Sequence, residues 1–81
     1  MTLNLPRIGA ARIKVIFKQS VDLSTVQLFA VMLEVFGGVY RTQNPRSIGV
    51  IPADARKASG LRLQLAEWEQ EGAVESWKPA G

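Results

Sequence analysis

From residue 12 to residue 18 the chain alternates in a strict period of two. Ile13, Val15 and Phe17 share one parity, and Arg12, Lys14, Ile16 and Lys18 share the other. That period belongs to a strand with one buried and one wet face. A strand is therefore predicted over Ala11 to Lys18, with a wet face carrying Arg12, Lys14 and Lys18. The pattern then shifts to a helical period. Val26, Leu28, Phe29, Met32, Leu33, Val35 and Phe36 fall on one arc of about 180°, with Gln27, Ala30 and Glu34 opposite. This predicts a helix over Ser24 to Phe36. Ser24 is expected as its N-cap, with Gln27 completing a capping box and Leu23 and Leu28 spaced as a hydrophobic staple. Gly37 and Gly38 are expected to end it.

Two short runs follow, Val39 to Thr42 and Ser47 to Ile51. They are joined by the turn-forming residues Gln43-Asn44-Pro45-Arg46 and closed by Pro52. The stretch from Ala55 to Gln70 carries two signals. Leu61, Leu63 and Leu65 alternate like a strand, whereas Ala58, Leu61, Leu65 and Trp68 recur at helical spacing. The helix formers around them decide for a helix, capped by Asp54 or Ser59, with Leu63 on its exposed side. Gly72 ends it, and Ala73 to Trp77 reads as a last strand. The order β-α-β-β-α-β predicts an α+β ferredoxin-like plait: an antiparallel sheet with two helices on one face and the other face open. The expected organisation is a single domain over residues 1–81, with residues 1–10 an N-terminal arm and 78–81 a tail.

Composition narrows the chemistry. The chain has 81 residues, no cysteine and no histidine. Disulfides and thiolate metal sites are excluded, and the commonest general base and zinc ligand are missing. The serines have no histidine to activate them, and Gly37-Gly38 follows a helix instead of opening one as a phosphate loop does. Glu67, Glu69, Glu71 and Glu75 are spread along the chain, without the converging loop that calcium requires, and read as a solvated face. No catalytic residue, cofactor or metal site is expected.

The net charge of +3 conceals a gradient. Nine basic residues stand against three acidic up to Arg62, and one basic against four acidic beyond it. Such a bipolar chain suits an oriented protein contact as well as it suits nucleic acid. Phe17, the aromatic residue of the predicted first strand, has buried parity, so a protein partner is favoured over nucleic acid on the open sheet face. The apolar stretch Val26 to Tyr40 is interrupted by Glu34 and the glycine pair and is too short for a membrane span. Trp68 is in phase with the core. Trp77 is either a core plug or an exposed anchor. As an anchor it completes the expected partner-binding set: Arg12, Lys14, Ile16, Lys18 and Trp77.

Ile13-Lys14-Val15-Ile16-Phe17, the helix closing at Phe36-Gly37-Gly38, the hairpin to Gly49-Val50-Ile51-Pro52, and the ending Gly72-Ala73-Val74-Glu75-Ser76-Trp77-Lys78-Pro79 form a pattern. It resembles small plait domains related to subtilisin-type propeptides and protease inhibitors. It also resembles the extracytoplasmic modules of membrane-anchored bacterial anti-sigma factors and sensors. The resemblance implies a non-catalytic regulatory interaction domain in a periplasmic setting, its partner another protein or a second copy. Its alternative implication is a propeptide-like inhibitor, docking through the sheet face with residues 77–81 in a protease cleft. A ligand-sensing dimeric plait is a third reading.

Overall fold

The structure, a computed structural model, describes residues 12–79. The expected arm over residues 1–10, and residues 80–81 of the expected tail, lie outside them. The elements are β1 (Ile13–Phe17), α1 (Leu23–Leu33), β2 (Gly37–Arg41), β3 (Ser47–Pro52), α2 (Ala55–Gln70) and β4 (Val74–Pro79). All strand pairs are antiparallel, in the order β2-β3-β1-β4. This is the ferredoxin-like α+β plait predicted from the periodicity.

One face of the sheet builds the core. Ile13 pairs with Val50 and Val15 with Ile48. These residues, with Phe17 and Val74, are buried against Val26 and Leu33 of α1 and Leu61, Leu65 and Trp68 of α2. At the centre Phe29 stacks on Phe17, with centroids 5.3 Å apart and planes 6° apart, and meets Trp68 at 4.4 Å. Gly60 lets the helices approach near Phe36, where a Cβ would stand 3.1 Å from the ring. Phe29 facing Trp68 and Phe36 facing Gly60 set the two helices antiparallel.

The cap of α1 differs from expectation. Asp22 is the N-cap and accepts from the Thr25 backbone N–H at 2.9 Å. Ser24 lies inside the first turn and donates its hydroxyl to Asp22 at 3.0 Å. Both residues can cap, but a carboxylate is the stronger acceptor at the positive end of a helix. Hydrogen bonds from the Thr25 side chain and backbone, then from Ser24, hold the Asp22 carboxyl below its ordinary value of 3.8. A lowered pKa adds stability above the unfolded value, and that stability is lost as pH falls through the folded one. Asp22→Asn is therefore expected to flatten the acid limb of a pH–stability profile. Asp22→Ala should lower the unfolding midpoint more than Ser24→Ala does. Equal losses from the two alanines would return the cap to Ser24.

The end of α1 also differs. The helix stops at Leu33, and Glu34, Val35 and Phe36 close a tighter turn onto the carbonyls of Val31, Met32 and Leu33. Lys57 Nζ donates to the Val35 carbonyl at 3.0 Å, placing a cation at this negative helix end. Gly37 and Gly38 do not cap the helix; they begin β2. The hairpin behaves as its composition suggests. Thr42 Oγ1 donates to the Ser47 carbonyl at 2.9 Å, and Asn44 Oδ1 accepts from the Arg46 N–H at 2.9 Å. The Arg46 guanidinium then ties this turn to the Lys18 and Val21 carbonyls. Helix α2 spans Ala55–Gln70, as predicted, with Asp54 as its cap.

Candidate functional site

The open face of the sheet is built by the other parity. Lys14 stands opposite Gly49 on one side and Lys78 on the other. Ile16 stands between Ser47 and Ser76. Tyr40 lies across Gly49, where any Cβ would run into its ring, so the missing side chain lets the tyrosine lie flat on the sheet. The Arg12 guanidinium covers that ring at 5.6 Å from its centroid, within range of a cation–π contact. Arg12, Lys14 and Lys78 are exposed, while Ile16 and Tyr40 are half-buried. None of these paired open-face positions is acidic.

Of the expected partner-binding residues, Arg12, Lys14 and Ile16 are thus brought together. Lys18 is exposed one residue beyond β1, with its backbone N–H on the Ala73 carbonyl at 2.9 Å. Trp77 does not join them. It pairs with Val15, on the helix-bearing side, packs against the core and donates its indole N–H to Glu69 Oε1 at 3.1 Å. The cause is a register shift at Ile16/Phe17, which pair with Ser76 and Val74 and leave Glu75 as the extra residue. Residues three apart take opposite faces of a regular strand, but one bulged residue restores both Val74 and Trp77 to the same face.

The strand continues past Trp77. Lys78 and Pro79, expected in a tail, pair with Lys14 and Ile13. Lys78 is thus a site residue that the pattern along the chain missed, since only cross-strand pairing identifies it. Arg41, which neighbours Tyr40 in sequence, leaves the basic face. It pairs with Ile48 and lines a cavity of about 240 Å³ between α1 and the hairpin, together with Leu23, Val26, Glu34 and Val39.

A second surface was not legible in the helical pattern. Val26 and Leu33 are buried, but Leu28, Val31, Met32 and Val35 are 54–64% exposed. The apolar surface of α1 is wider than the sheet can cover, so part of it stays exposed. Among the described residues no three acidic side chains come together as metal ligands, and no helix is long and apolar enough to cross a membrane. Comparison with known proteins returned no matching family, no matching curated protein and no matching solved structure.

Proposed function

We propose that this domain is a non-catalytic interaction module whose open sheet face docks on an acidic or mixed surface of another protein. The observation that carries this reading is the Lys14–Lys78 pair. Like charges directly opposite on neighbouring strands destabilise a sheet. Here the pair sits beside Arg12 with no acidic residue at the paired positions around it. A local conflict of this kind is characteristic of functional surfaces, where a partner supplies the missing countercharge. Ile16 and the Arg12-covered ring of Tyr40 add an apolar centre to the charged field.

The setting implied by the resemblance is the extracytoplasmic part of a membrane-anchored bacterial regulator such as an anti-sigma factor. The protease-inhibitor alternative draws less support. It needs a free tail from Trp77 onward, and residues 77–79 are paired with β1.

The test is kinetic. Lys14→Glu/Lys78→Glu should slow association with an acidic protein partner about tenfold or more at low salt and remove most of its salt dependence. Tyr40→Ala should mainly speed dissociation. Association indifferent to the double reversal would remove the sheet face from the interface. Binding of an oligothymidylate probe that is lost in Tyr40→Ala would reassign the face to single-stranded nucleic acid.

A further inference from the structure

The outward side of the two helices is apolar at its centre and oppositely charged at its ends. Leu28, Val31 and Met32 of α1 and Val35 of the turn that closes it recur at i, i+3, i+4 and i+7, each more than half exposed. Leu63, 74% exposed, lies on the outward side of α2. The antiparallel match of Phe29 with Trp68 and of Phe36 with Gly60 sets Leu63 level with Leu33 and Glu34, next to Met32. At 100° per residue, Arg56, Glu67 and Glu71 share the outward side of α2 with Leu63. Arg56 and Lys57 occupy the N-terminal end, Glu67 and Glu71 the C-terminal end, and all four are exposed.

This charge order opposes the helix's own dipole. Apart from the Asp54 cap, α2 has no acidic residue in its first turn and no basic residue in its last. An isolated helix prefers the reverse. The arrangement becomes favourable when a second helix lies across it head to tail.

We infer that a second copy of this chain docks face to face on the helix layer, about a two-fold axis lying in the interface and crossing both helices near Met32 and Leu63. The two α1 stripes then pack against each other. Each Arg56 meets the partner's acidic C-terminal end of α2, and the same contact repeats on the other side, as an isologous interface requires. The exposed apolar side chains and their charged flanks cover on the order of 600–800 Å² per copy, the lower end for a specific interface. The equilibrium is accordingly reversible. It uses the surface opposite the sheet face, so Lys14→Glu/Lys78→Glu leaves it unchanged.

Sedimentation equilibrium of the full chain, from micromolar to millimolar concentration, is expected to show a reversible monomer–dimer equilibrium. Met32→Lys should weaken it about tenfold or more while leaving the folded monomer in place. Arg56→Glu alone and Glu67→Lys/Glu71→Lys alone should each stay monomeric. Mixing these two variants should recover a one-to-one pair, and a chain carrying all three reversals should dimerise again. Absence of a dimer at millimolar concentration overturns the proposal. So does an Arg56→Glu chain that self-associates like the parent. A monomeric chain that floats with phosphatidylglycerol vesicles, and loses this in Met32→Lys, assigns the face to lipid and overturns it equally. Should Met32→Lys fail to fold, the exposed α2 variants carry the test.

Discussion

Phe29→Ala is expected to destabilise the domain by about 3 kcal/mol, the lower part of the range for truncating a packed aromatic. Phe29 is only half-buried, yet it holds the two helices and the sheet together. Its ring stacks on Phe17 of β1 and tilts against Trp68 of α2 at 4.4 Å. Removing it leaves two aromatic neighbours facing a void that helix α1 cannot close by moving inward, because Val26 and Leu33 are already in contact with the sheet. A domain of this size has about 5–15 kcal/mol in all, so the loss is a large share. Urea unfolding measures it. Phe29→Leu should lose less, since it keeps part of the volume. An unchanged midpoint in Phe29→Ala would show that the stack contributes nothing.

Gly37→Ala is expected to cost about 1–3 kcal/mol, the range for added atoms that force a backbone shift. A Cβ at Gly37 would run into the Ile51 carbonyl oxygen and stand 2.9 Å from the Ala53 nitrogen. Both obstacles are backbone, so no side chain can swing aside. They lie where β2 enters the sheet opposite Pro52. Gly38 is the internal control. A Cβ there meets nothing within 4 Å, and Gly38→Ala should be neutral or slightly stabilising through the unfolded chain. If the two glycines acted together as a helix cap, the substitutions would behave alike. Equal melting temperatures for the pair would contradict the crowding at Gly37.

The two candidate surfaces divide the molecule's unresolved conflicts between them. The sheet face carries like charges opposite each other, and the helix layer carries exposed apolar residues and charges set against a helix dipole. Neither arrangement favours an isolated monomer. On the readings proposed above, each would be relieved by contact with something else: an acidic protein surface on one side, a second copy on the other. The surfaces lie on opposite sides of the sheet, so occupying one does not obstruct the other.

The sequence by itself determined what is a property of one segment. The period-two alternation placed β1 and its wet face. Helical spacing and strong helix formers bounded α2, and the Asn44-Pro45 turn positioned the hairpin. Together these gave the element order and the plait. What depended on a second segment was decided by tertiary structure. Asp22 and Ser24 are both competent caps, and where the chain turns into α1, with the stronger acceptor at Asp22, chose between them. The apolar arc of α1 does not reveal how much of it the sheet will cover. The side on which Trp77 emerges depends on one bulged residue opposite β1, and Lys78 enters the site only because β4 stays paired beyond Trp77. In a sheet, a shift of one residue exchanges the two faces, and that register is set by the neighbouring strand, whose partners lie some sixty residues away in the chain.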